Sequence, residues 1–208
     1  MNIFQVDRKT PMEAILDGIE IDIVKQEQRY VTLEFPVEMS NLERKGIIET
    51  IKKYYDIFIL IKADIPRNTN IIEEYFSSGI HGVYFHGLTN HDGLEQFQIM
   101  GYAAELFYGG SVFAKCPEDK DMIEGLLKRK VIPVLSGQHE DFIEFIKTHP
   151  YFQRISSNLL KYIPALEQGA WTVTLKDRLK IKMLLEAINL RQKLMIKSVD
   201  DSFHSSGL

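Results

Sequence analysis

The chain has a single cysteine, Cys116. One thiol closes no internal disulfide and cannot build an all-cysteine zinc or iron–sulfur site. Nowhere does a run approach the roughly 18 consecutive apolar residues of a membrane span, so no span is expected. Residues 1–9 lack a basic stretch followed by an apolar one, which argues against a secretory leader and for a cytoplasmic protein. No Gly-x-Gly-x-x-Gly or P-loop pattern occurs, and Gly109-Gly110 falls at a helix end. No organic cofactor held by such a motif is therefore expected. Concentrated positive charge is also missing. The net charge is −4, and the nine Lys and Arg against five Asp and Glu from residue 152 onward leave the preceding body at −8. An acidic body argues against nucleic acid as the main partner, because phosphate binding needs clustered Lys and Arg.

What is present is ordinary globular composition, 45% hydrophobic and 26% charged over 208 residues. That length suits one domain with an appended helical segment. Thr10-Pro11-Met12-Glu13 reads as a capped helix start. Ile19-Glu20-Ile21-Asp22-Ile23 alternates apolar and charged residues and predicts a half-exposed edge strand, turning through Gln26-Glu27-Gln28. Residues 1–29 are accordingly read as an N-terminal cap.

From residue 30 the pattern becomes regular. Short apolar segments at Tyr30–Phe35, Ile57–Ala63, Gly82–His86, Ser111–Lys115 and Val131–Leu135 read as strands buried on both faces. Helical windows separate them, opening at Ser40-x-x-Glu43, Asn70-x-x-Glu73, Asp92-x-x-Glu95 and Pro117. Within the third window, Leu94, Phe97, Met100, Ala104 and Phe107 recur as on a helix packed against a sheet. Alternating strands and helices without tight hairpins predict a parallel sheet with right-handed crossovers. A sixth strand is sought at Gln153–Ser156. Because a closed eight-fold barrel takes about 250 residues, the expected architecture is α/β of TIM-barrel type. It is an incomplete parallel barrel of five or six βα units over residues 30–156, with a helical C-terminal extension over 157–208. A doubly wound sheet is the competing architecture.

Three segments carry a family resemblance: Gly79-Ile80-His81-Gly82-Val83-Tyr84-Phe85-His86, Ala103-Ala104-Glu105-Leu106-Phe107 and Val131-Ile132-Pro133-Val134-Leu135. Together they resemble the later units of the radical SAM partial barrel, in the branch that contains biotin synthase. The resemblance covers roughly residues 30 to 137 and implies a fold only. The family's three-cysteine cluster loop cannot be supplied by a chain with Cys116 alone, so radical chemistry and its catalytic residues are not implied.

Parallel barrels place their sites at the C-terminal ends of strands. Successive strand ends deliver Glu34, then Lys62 and Asp64, then His86, then Lys115 and Cys116, as candidate catalytic groups. Ser136, Gly137 and His139 follow the fifth strand as candidate substrate-binding residues. A buried Lys62 or Lys115 suits Schiff-base chemistry on a carbonyl compound, although an ion pair with Glu34 or Asp64 would explain either lysine structurally. Cys116, ahead of a helix start, suits a thiolate, against the commoner buried core thiol. His86, His91 and His139 match no compact metal motif, so no metal is assigned.

Two functions from different classes follow. One is an enzyme acting on a small carbonyl- or carboxylate-bearing metabolite through Lys, Glu and His. The other is a catalytically silent subunit or scaffold in a cofactor-assembly pathway. The segment from Thr174 to about Lys197 reads as a basic amphipathic helix with an apolar stripe of Ile181, Leu184, Leu185, Ile188, Leu194 and Met195. Burial of that stripe against protein, in a homodimer, is expected.

Overall fold

The computed structural model describes residues 3–6, 8–26, 29–65, 71–135 and 140–154. The expected C-terminal helix lies outside these residues, as do Ser136, Gly137 and His139. Six strands form one sheet: β1 (Ile3–Gln5), β2 (Tyr30–Glu34), β3 (Phe58–Asp64), β4 (Gly82–His86), β5 (Ser111–Lys115) and β6 (Val131–Val134). All five pairings are parallel and the strands lie side by side in chain order. Between and after them run α1 (Met12–Gln26), α2 (Asn41–Tyr54), α3 (Ile71–Ser77), a 3-10 helix (His91–Phe97), α4 (Met100–Tyr108), α5 (Lys120–Lys128), α6 (Glu140–Thr148) and α7 (Pro150–Gln153).

That strand order decides between the two architectures. A doubly wound sheet reverses its strand order at a switch point. An unbroken progression in one direction, with right-handed crossovers, puts every helix on the same face and leaves the other face as a barrel interior. The chain is therefore an open, incomplete parallel barrel. Among the described residues no helix is long and apolar enough to cross a membrane.

Registered partners on adjacent strands share a face, and both faces are buried. The helix side carries Leu33, Ile59, Ile61, Val83, Phe85 and Val112, and the Phe85 ring meets Phe97 edge-on at 5.6 Å. On the inner side Lys62 registers with Tyr84, Tyr84 with Phe113 and Phe113 with Ile132. Gly82 registers between Leu60 and Ser111, and across this gap the rings of Phe58 and Phe113 meet edge-on at 6.4 Å. A Cβ on Gly82 would lie 2.8 Å from the Ser111 carbonyl oxygen.

The N-terminus departs from expectation. Ile19–Ile23 is not a strand, because α1 runs unbroken through it and buries Ala14, Ile15, Gly18 and Ile19 at helical spacing. Gly18 is required there, since a Cβ would sit 2.3 Å from the Phe4 ring of β1. The sixth strand is therefore Ile3–Gln5 at the opposite edge, and Gln153 belongs to α7.

Two helix starts also shift. The Ser40–Glu43 capping box forms as expected. In contrast, Asn90 caps the 3-10 helix by accepting from the Gly93 N–H at 3.3 Å, and a break near Gln98 and Ile99 separates it from α4. Asp119, not Pro117, caps α5 through the Met122 N–H at 2.8 Å. Gly79 and Gly109 take the left-handed conformation expected at helix ends, with φ of 89° and 60°.

Candidate functional site

Alternation along β2 and β3 aims Glu34, Lys62 and Asp64 to the inner face, at the C-terminal end of the sheet. Lys62 is the centre of this end. Its side chain is only 6% exposed, and its ammonium donates to the Glu34 carboxylate. Glu34 also accepts from the Gln5 side-chain amide of β1 at 3.2 Å. Two register positions beyond Lys62, Asp64 and His86 face each other across β3 and β4, with His86 Nε2 3.1 Å from Asp64 Oδ1.

These four residues line one cavity of about 450 Å³ at the mouth of β2, β3 and β4. Its outer wall comes from helices: Arg44 in the first turn of α2, and Glu74 and Tyr75 of α3. Arg44 Nη1 lies 3.2 Å from Glu74 Oε1. Burial holds the Tyr75 phenol above its usual range, and the nearby Arg44 guanidinium partly offsets this. Three side-chain pairs thus border a single space: Lys62–Glu34, His86–Asp64 and Arg44–Glu74.

Other expected residues lie elsewhere. Lys115 ends β5, in register with Val134, and does not line this cavity. Cys116 follows it, buried, with its backbone N–H donating to the Val134 carbonyl oxygen at 3.1 Å. Burial, and then the charges of Asp119 and Glu118, push its thiol up to about 12. Of the two readings of Cys116, the buried core thiol is the one this position matches: α5 begins only at Lys120, and the near end of the helix is capped by an anion. His91 faces Asp119 at 3.8 Å, apart from the His86–Asp64 pair. Among the described residues no three His, Cys, Asp or Glu side chains gather as a metal ion requires.

Sequence reasoning missed Gln5, Arg44, Glu74 and Tyr75. Gln5 was hidden with its strand. Arg44 had a usable signal, because it directly follows the capping-box glutamate and so sits in the first helical turn after a strand end. In a parallel barrel that turn borders the mouth.

No family model matches the chain, and no curated protein sequence matches it. Among solved structures, the chain is similar to one from the tryptophan synthase complex of the hyperthermophile Pyrococcus furiosus. The TM-score is 0.39 at 11% identity, covering 83% of this chain and 84% of the other. It is also similar to the coproporphyrinogen III oxidase HemN of Escherichia coli, a radical SAM enzyme. There the TM-score is 0.40 at 10% identity, covering 92% of this chain and about half, 52%, of HemN.

Proposed function

We propose that the chain is an enzyme of Schiff-base or acid–base type acting on a small carbonyl- or carboxylate-bearing metabolite. The observation that carries this reading is the meeting of the Lys62–Glu34 and His86–Asp64 pairs in one cavity at the C-terminal end of the strands. A buried ion pair rarely repays its desolvation in stability, and an apolar side chain would fill position 62 at no such cost. The pair has a chemical use instead. Glu34 takes a proton from the Lys62 ammonium, and the neutral amine attacks a substrate carbonyl carbon, forming a C–N bond. The attached nitrogen then sheds a second proton, and the carbonyl oxygen leaves as water with the two protons the ammonium has given up, one returned by Glu34 and one relayed by His86, which Asp64 orients.

Reductive trapping tests this. The full chain is incubated with small aldehydes and oxo acids plus cyanoborohydride, and the adduct is located by mass spectrometry. One adduct at Lys62, lost in Lys62→Met, is expected. Labelling of exposed lysines such as Lys45 with Lys62 untouched would count against the reading.

The outer face of α4 favours a second reading, a silent barrel related to the radical SAM proteins that works as a subunit. Leu106 and Phe107 are 77% and 72% exposed, with Ile99 and Tyr102 beside them. Soluble monomers avoid apolar patches of this kind. A second copy of the chain is the partner this reading names, with residues 181–195 contributing apolar surface. Sedimentation velocity should show a dimer that Leu106→Glu with Phe107→Glu converts to monomer. A monomeric wild type would remove this reading.

A further inference from the structure

Asp64 differs from the other carboxylates of the cavity. Glu34 faces the Lys62 ammonium and Glu74 the Arg44 guanidinium, so each of those pairs is neutral in sum. Passing a proton from Lys62 to Glu34 leaves it so. Among the described residues Asp64 forms its ion pair with His86, an imidazole, and its side chain is 84% exposed. Whenever His86 is neutral, Asp64 gives the cavity a net negative charge. Its place is also close to the chemistry. Asp64 lies two positions beyond Lys62 on the same face of β3, about 7 Å along the strand. Aromatic groups adjoin it: Phe35 and Tyr75 line the same cavity, and the Asp64 charge bears on the Tyr75 phenol. Aromatic faces attract cations.

We propose that Asp64 is the residue that selects the substrate, and that the carbonyl compound meeting Lys62 carries a cationic ammonium group a few bonds from its carbonyl carbon. This rests on the Lys62 reading and adds the substrate class to it. With the carbonyl carbon at Lys62, such a group reaches the position of Asp64 along the same face of the strand. A carboxylate substrate meets the opposite field and is disfavoured. A cavity of about 450 Å³ suits a metabolite of this size. Because Asp64 is largely exposed, solvent and salt screen its charge, and the preference it confers is several-fold and salt-sensitive.

The experiment compares betaine aldehyde with its neutral tert-butyl analogue, which has the same shape without the charge, as cyanoborohydride-trapped probes of Lys62 in the full chain. In Asp64→Asn the ratio of cationic to neutral labelling should fall at least fivefold. Intrinsic reactivity, and any loss of His86 orientation, bear on both aldehydes alike and cancel in that comparison. Asp64→Glu, which keeps the charge, should hold the ratio within twofold of wild type. An unchanged ratio in Asp64→Asn, or an equal fall in Asp64→Glu, overturns the role of Asp64 and leaves the Lys62 reading standing. Molar salt should lower the wild-type ratio at least twofold, and this measurement decides should Asp64→Asn lose its cooperative melt. If neither aldehyde labels Lys62, the Lys62 reading falls, and choline, a cation without a carbonyl, then tests the subsite alone. Its binding to the wild type, followed by NMR, should be lost in Asp64→Asn. Equal binding to both, or binding to neither, overturns the proposal.

Discussion

Lys62 and Glu34 depend on each other. Removing one partner of a buried pair strands a charge, at a cost of about 3–5 kcal/mol, while replacing both by apolar groups is often neutral. Because Glu34 keeps partial solvent contact, the lower end applies. Glu34→Leu should lose about 3 kcal/mol in urea unfolding, and Glu34→Leu with Lys62→Met should regain most of it. His81 makes a second residue-scale prediction. Its Nδ1 accepts from the Ile59 backbone N–H at 2.9 Å while the His81 backbone N–H donates to the Ile59 carbonyl oxygen at 2.9 Å. Burial first, then the charge of Lys52, lowers the imidazole from 6.5 to about 4. The unfolded chain therefore takes up the proton first as pH falls. Stability from this group is complete above 6.5 and lost between 6.5 and about 4, with a slope of at most about 1.4 kcal/mol per pH unit. His81→Asn, whose amide oxygen can replace Nδ1 as acceptor but does not titrate, should remove that slope. Cys116, with its thiol at about 12, should resist iodoacetamide at pH 8 until the chain unfolds.

At the scale of elements, close approaches by glycine set the packing. Gly101 in α4 presses on the turn after α5, where a Cβ would lie 2.1 Å from the Arg129 carbonyl oxygen and 2.5 Å from that of Lys130. Backbone cannot yield as a side-chain tip does, so Gly101→Ala should cost about 3 kcal/mol, at the top of the overpacking range, read as a lower melting temperature. The same helix shows how far periodicity reaches. Leu94, Phe97, Met100 and Ala104 are buried as their spacing predicts, but Phe107 is exposed. The break near Gln98 and Ile99 changes the phase between the 3-10 helix and α4, which no repeat of apolar residues announces. Capping misled for a related reason. Several polar residues near a strand end can cap, and Asn90 and Asp119 were chosen by where the preceding loop placed their side chains.

For the whole molecule, β1 and α1 belong to the sheet and its core. Phe4, Val6, Ile15 and Ile19 are buried, and β1 covers the edge of β2. Deleting residues 1–28 would expose that edge and remove Gln5 from Glu34, so the truncated chain should aggregate and lack a cooperative thermal transition. A soluble, cooperative product would show that the remaining five strands suffice. The five later strands and their parallel sense were legible in the sequence because strands buried on both faces are short apolar runs, and the helices between them carry local caps. The polar residues that interrupt those runs near their ends, Glu34, Lys62, Asp64 and His86, were legible for the same reason. Local pattern could not choose between helix and strand for Ile19–Ile23, where alternation and helical spacing coexist and only packing against Phe4 decides. Nor could it separate Lys115 and Cys116 from the cavity, or bring Arg44, Glu74 and Tyr75 into it. Arg44, Glu74 and Tyr75 arrive there with α2 and α3, whose docking on the sheet is a property of the packed layers and not of any one segment.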